Sequence, residues 1–158
     1  MMTKALVANG ASKVYVVGRR QEKLEEAAQL APKVIIPLQG DVTKQDSLKA
    51  MAARVASEAG HVNLLICNSG MMGPNTPVQA SDVSVEEFSS KALNENDMNW
   101  FSECHAVNVT SVLWTAYAFL PLLEQGTRSD WLGGVVRSQI IVTSSIAAMH
   151  KGPAQSMA

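Results

Sequence analysis

Two hydroxyl residues, Ser144 and Ser145, close a run of β-favouring and mostly apolar residues, Gln139-Ile140-Ile141-Val142-Thr143. A buried strand that ends in hydroxyl side chains is how a parallel α/β sheet presents chemistry at its carboxyl edge. Ser145 can serve there as nucleophile, as hydrogen-bond donor or as a plain turn former. A hydrolase elbow needs G-x-S-x-G, which Thr143 to Ala147 does not supply. Asp130 and His150 could be drawn into a triad, but their spacing supports nothing specific. Asn108 lies inside a long helical pattern, where asparagine is a poor residue, so its side chain is expected to have a task. Asn108-Val109-Thr110 is also a glycosylation sequon, although a helix interior is an unsuitable acceptor site.

Three more groups follow strands. Arg19 and Arg20 stand where a strand exits and a helix begins. Two cations at a helix start are mildly unfavourable unless an anion joins them. They read either as a phosphate site or as a solvated charged turn. Asp41 follows Gly40 and reads as an Asx turn, with its carboxylate also available to a ligand. Asn68 and Gly70 read as a tight turn whose glycine permits close approach, against which a ribose could lie. His61, His105 and His150 do not cluster as ligands, so no metal is expected.

Positioning these groups requires an alternation of strands and helices. Met2 to Asn9 reads as a helix stopped by Asn9-Gly10. Val14 to Val17 reads as a buried strand, and Gln21 to Leu30 as a helix with Leu24, Ala27, Ala28 and Ala31 on one face. Val34 to Leu38 is the next strand, placed at an edge because Pro37 lacks a ladder N–H. Thr43 and Asp46 suggest a capping box for a helix over Lys44 to Ala59, with Leu48, Met51, Ala52, Val55 and Ala56 as its apolar face. Val62 to Cys67 is a buried strand. Met71 to Asn96 reads as irregular, with one short helix over Val85 to Leu93. A long helix over Asp97 to Leu123 precedes a loop over Gly126 to Gly134. This order implies βαβ crossovers, a parallel sheet and helices on both faces.

The chain has 158 residues, 47% of them hydrophobic, which suits one globular domain. A net charge of −1 offers nothing to nucleic acid or to an anionic membrane. No apolar run is expected to approach membrane-spanning length. Cys67 and Cys104 lack metal-ligand spacing, and a reduced cytoplasmic setting is the expectation.

Taken in order, these motifs resemble the short-chain dehydrogenase/reductase family over essentially the whole chain. Gly10 to Arg20 is similar to that family's second strand and the following turn. Gly40-Asp41-Val42-Thr43 resembles its adenine-contacting turn, and Cys67-Asn68-Ser69-Gly70 its N-N-A-G. Asn108-Val109-Thr110 resembles the helix asparagine of the catalytic set, and Ile141 to Ser145 the strand bearing the catalytic serine, here Ser145.

The resemblance implies a doubly wound Rossmann-type parallel sheet. Residues 1–158 would be one partial domain that binds a nicotinamide dinucleotide through Arg19, Arg20, Asp41, Val42, Asn68 and Gly70. Hydride would pass between the nicotinamide and a carbonyl or alcohol carbon. Ser145 would orient the substrate oxygen, and Asn108 would hold a relay water. Gly18 stands where members preferring NAD carry an acid, and Arg19 suggests a 2′-phosphate partner, so NADP is expected over NAD. The family's first strand with its T-G-x-x-x-G-x-G turn, its Y-x-x-x-K and its later strands are expected to be missing. The chain is therefore expected to be a poorly stable fragment without activity. The alternative is a non-catalytic truncated relative that associates with a full-length homologue. The helix 97–123, a subunit contact in the family, would also serve a homo-oligomer.

Overall fold

A computed structural model describes residues 2–73, 83–129 and 136–145. The chain forms two compact units, Met1–Gly60 and His61–Ala158. Each contains one two-stranded parallel sheet, so the chain carries an incomplete Rossmann-type α/β fold.

In the first unit, α1 (Met2–Ala8) leads to β1 (Val14–Gly18), α2 (Gln21–Ala28), β2 (Ile35–Gln39) and α3 (Gln45–Ala59). The Asn9-Gly10 stop takes the expected form. Gly10 has φ 83°, its N–H donates to Val7 O at 3.1 Å, and Ala11 N–H donates to Leu6 O at 3.1 Å. That pair of bonds satisfies the last carbonyls of a helix, and only glycine adopts the needed φ without strain. β1 and β2 pair from Val14 with Ile35 to Gly18 with Gln39. The core of this unit is Val14, Leu24, Ile35, Leu38, Leu48, Met51 and Val55. The last three carry the spacing expected of a helix face.

The capping box expected from Thr43 and Asp46 does not form. Lys44 stands at the cap of α3 and gives no side-chain cap bond. The Thr43 hydroxyl donates instead to Asp41 Oδ1 at 2.7 Å. The charged acceptor draws the Thr43 side chain into the local Asx turn, away from the N–H groups of α3. Pro37 lies mid-strand in β2, whose ladder partner is β1, and its carbonyl accepts from Arg54 Nη1 at 3.3 Å.

In the second unit, β3 (Leu64–Cys67) is followed by α4 (Val85–Glu95), α5 (Met98–His105), a π turn (Ala106–Thr110), α6 (Ser111–Arg128) and β4 (Gln139–Val142). Ser84 caps α4 by accepting from Glu87 N–H at 3.2 Å, and Asp97 caps α5 by accepting from Asn99 N–H at 2.9 Å. β3 and β4 pair in parallel, from Leu64 with Gln139 to Cys67 with Val142. α6 packs on them through buried Phe119, Leu122, Leu123 and Gly126.

Three expectations are corrected here. β3 is half-buried rather than buried, and β4 is exposed: Ile140, Ile141 and Val142 retain 41%, 47% and 50% of their accessibility. A two-stranded sheet gives each strand one neighbour, which leaves much of its surface in water. Gly126 is not the start of a loop, because α6 continues to Arg128. Its lack of a side chain serves packing: a Cβ there would collide with Val62 O and lie 2.5 Å from Ser138 Oγ. Finally, the continuous helix Met98–Arg128 spans 31 residues and contains an 18-residue stretch of mean hydropathy 1.5, long and apolar enough by length and composition to cross a bilayer. The stretch from Ala106 to Leu123 carries no charged side chain, and its scattered Asn, Thr, Ser and Tyr hid that in the residue-by-residue reading.

Candidate functional site

Parallel strands end at the same edge of their sheet, so residues just past each strand become neighbours. In the first unit the Gly18↔Gln39 pair closes the ladder. Gly40 N–H donates to Gly18 O at 2.9 Å, and Gln39 Nε2 donates to Arg19 O at 3.0 Å. Arg19 is thereby held beside the Gly40-Asp41-Val42 turn. Arg19 and Arg20 are exposed, and Asp41 and Val42 are half-buried.

Asp41 makes the Asx turn expected of it. Its Oδ1 accepts from Thr43 N–H at 2.9 Å and from the Thr43 hydroxyl at 2.7 Å. The Asp41 N–H donates to Ser47 Oγ at 2.9 Å. The Thr43 hydroxyl, then the Thr43 N–H, hold the Asp41 carboxyl below its ordinary value. Partial burial opposes this, and the positive charges of Arg19 and Lys44 add to it. A Cβ on Gly40 would collide with Met51 Sδ and lie 2.9 Å from Ser47 Oγ, so glycine lets α3 close against the turn.

In the second unit the edge of β3 and β4 carries Asn68, Ser69, Gly70 and Met71 on one side and Thr143, Ser144 and Ser145 on the other. Asn108 sits in the π turn, half-buried, and both ends of its amide are engaged. Oδ1 accepts from Met71 N–H at 2.9 Å, and Nδ2 donates to Met71 O at 2.9 Å and to Cys104 Sγ at 3.2 Å. The Cys104 thiol donates to the same Met71 carbonyl at 3.7 Å. This answers why an asparagine stands inside a helix: it clamps the segment after β3. Burial pushes the Cys67 thiol up, so it stays protonated and inert.

Gly70 is exposed, and the glycines with positive φ among the described residues are Gly10 and Gly60. A Cβ at position 70 would meet Asn108 Oδ1 at 3.4 Å, an ordinary contact. Neither backbone conformation nor packing requires glycine there.

The structure thus groups Arg19, Arg20, Asp41 and Val42 at one sheet edge, and Asn68, Gly70 and Ser145 at the other, with Asn108 clamped to the segment after Gly70. Asp130 and His150 lie outside the described residues. Among the described residues no three His, Cys, Asp or Glu side chains are placed for a metal ion. Thr143, whose hydroxyl donates to Asn68 Oδ1 at 2.9 Å, escaped the sequence reading. Its only signal was adjacency to Ser144 and Ser145.

Comparison with known proteins gives consistent results. The family described as short chain dehydrogenase matches residues 1–157. A short-chain dehydrogenase/reductase of Diaporthe leptostromiformis is 40% identical over 156 residues, covering 97% of this chain and 52% of the relative. One from Stachybotrys chartarum is 36% identical over 161 residues, covering 95% of this chain and 59% of the relative. The chain therefore spans a little over half the length of these relatives. The alcohol dehydrogenase of Thermococcus sibiricus, solved in complex with 5-hydroxy-NADP, superposes with a TM-score of 0.65. It is 22% identical and covers 97% of this chain and 56% of its own.

Proposed function

This chain belongs to the short-chain dehydrogenase/reductase family, and on that premise we propose that it serves NADP-dependent hydride transfer to or from a carbonyl or alcohol carbon. When bound, the nicotinamide supplies or accepts the hydride. The observation that carries the reading is Gly70. It is a glycine that its own backbone and packing do not need, exposed between Asn68 and the Asn108 clamp. A glycine there leaves room for the close approach of a ligand's ribose.

The other residues take roles suited to their chemistry. The Arg19 guanidinium pairs with a 2′-phosphate, with Arg20 behind it. Asp41 keeps Oδ1 on Thr43 and offers Oδ2 to the adenine amino group, while Val42 supplies an apolar surface. The Ser145 hydroxyl orients the substrate oxygen. Asn108, its side-chain amide held by Met71 and Cys104, is the residue that would hold a water for proton relay.

The family's proton-transferring tyrosine has no counterpart among the 158 residues. No lysine stands four residues beyond Tyr15 or Tyr117. The Tyr15 hydroxyl is pushed up to about 12, first by burial and then by its bond to Glu58. A proton donor for this reaction needs the opposite shift. These 158 residues alone are expected to bind cofactor without turning a ketone over. The reduced, cytoplasmic setting expected from the cysteines suits this chemistry. The reading is tested by titrating the chain with NADPH and NADH, following tryptophan fluorescence. NADPH is expected to bind more tightly, and Arg19→Gln to remove about a tenfold preference, the scale of one charge-assisted contact. Equal affinity in the parent chain, or an NADH preference, would refute it.

A second reading rests on α6. Leu113, Trp114, Tyr117 and Leu120 are exposed along it, with Trp114 and Tyr117 in edge-to-face contact at 6.0 Å. We propose that this face meets a second copy or a longer relative rather than a bilayer.

A further inference from the structure

Thr143 lies one residue past β4 and two before Ser145. Its backbone N–H donates to Cys67 O at 3.0 Å, extending the parallel ladder beyond the strands. Its hydroxyl donates to Asn68 Oδ1 at 2.9 Å. One residue of the serine-bearing loop thus holds the last residue of β3 backbone to backbone and the first of the turn after it side chain to side chain.

The side-chain bond holds the Asn68 amide against the end of β4. Its Oδ1 is engaged by Thr143, which leaves Nδ2 toward an outside acceptor. At the far end of the same turn, Asn108 grips Met71 through both its N–H and its carbonyl. The turn is pinned at both ends with the open Gly70 between them. Thr143 and Asn68 are both exposed. Water competes for such a bond, so it adds little to global stability. Orientation is what remains for it to provide.

We propose that Thr143 is a positioning residue: it sets the Asn68 amide and ties the turn 68–70 to the strand end that carries Ser145. The proposal rests on the reading above, in which a nicotinamide cofactor lies against this turn. Two variants of the full chain test it. Thr143→Val keeps the β-branched shape and the backbone bond but loses the hydroxyl, and Thr143→Ser keeps the hydroxyl. Without cofactor, backbone order parameters at Asn68, Ser69 and Gly70 should fall in Thr143→Val, from the rigid range of about 0.85 toward about 0.6. Thr143→Ser should match the parent. The Met71 amide, held by Asn108, should not change in either, and melting midpoints should coincide. NADPH affinity should fall roughly three- to tenfold in Thr143→Val, the scale of one hydrogen bond, and recover in Thr143→Ser. Unchanged order parameters in Thr143→Val, no recovery in Thr143→Ser, or a melting midpoint that falls in step with them would overturn the proposal. If none of the three chains binds NADPH while the difference in order parameters stands, the cofactor reading fails and the orienting role survives.

Discussion

Substituting Gly126 by alanine separates two opposed effects in sign. Alanine in a helix interior is better than glycine by about 1 kcal/mol, so at an open position Gly126→Ala would stabilise. Gly126 is buried in α6, and a Cβ there would collide with Val62 O and lie 2.8 Å from the Val62 carbonyl carbon. The obstacle is backbone and cannot rotate away. Relief requires α6 to back off from Val62, two residues before β3. That movement strains two bonds: Val62 N–H to Leu122 O at 3.0 Å, and Ser138 N–H to Thr127 Oγ1 at 3.0 Å. Each contributes about 1 kcal/mol, and overpacking adds about 1–3 kcal/mol. Against the propensity gain, the net expectation is a loss of about 2–4 kcal/mol. Equilibrium urea denaturation reads it as a lower midpoint at unchanged slope. An unchanged or raised midpoint would show that the helix does not approach Val62 this closely.

Asp41 has a depressed pKa in the folded chain, so it contributes stability above the ordinary carboxylate range, and the contribution is lost as pH falls through the depressed value. Melting curves of the parent and Asp41→Asn should differ most near neutrality and converge below about pH 4. Tyr15 behaves oppositely: its raised value means a contribution fully present below about pH 10 and lost as pH rises toward the folded value. Phenolate absorbance should show one tyrosine titrating near about 12, and Glu58→Gln should bring it down. Replacing Leu113 and Tyr117 together by glutamate should shift sedimentation of any self-associated chain to the monomer and leave the first unit's circular dichroism signal intact.

The elements that obey a simple period were legible in the sequence. The apolar face of α3 is one case, and the Asn9-Gly10 stop is legible because a single residue type answers a single backbone need. Less legible were features set by competition or by distant partners. Thr43 could have capped α3, but its hydroxyl is donated to the Asp41 carboxylate in a local Asx turn. Gly126 has the residue type of a loop and the task of a packing surface, and Val62, which decides between them, is far off in sequence. The π turn adds one residue to a helix whose apolar pattern tolerates it, so Ala106 to Thr110 gave no periodic signal. Within the site, Asn108 was marked by its poor helix propensity, but its partner is the backbone of Met71, and backbone leaves no trace in residue type. Thr143 and Asn68 are 75 residues apart, and nothing local to either announces their bond.

Pro37 gives the first sheet a direction of growth. In a parallel ladder the N–H and C=O of one residue face the same side. At Pro37 the donor does not exist and the acceptor is taken by Arg54. An incoming chain segment that tried to zip onto the β2 rim would find, halfway along, neither hydrogen to accept nor oxygen to donate to. Lateral recruitment is therefore barred on that flank, and any further strand must come to this sheet by way of β1.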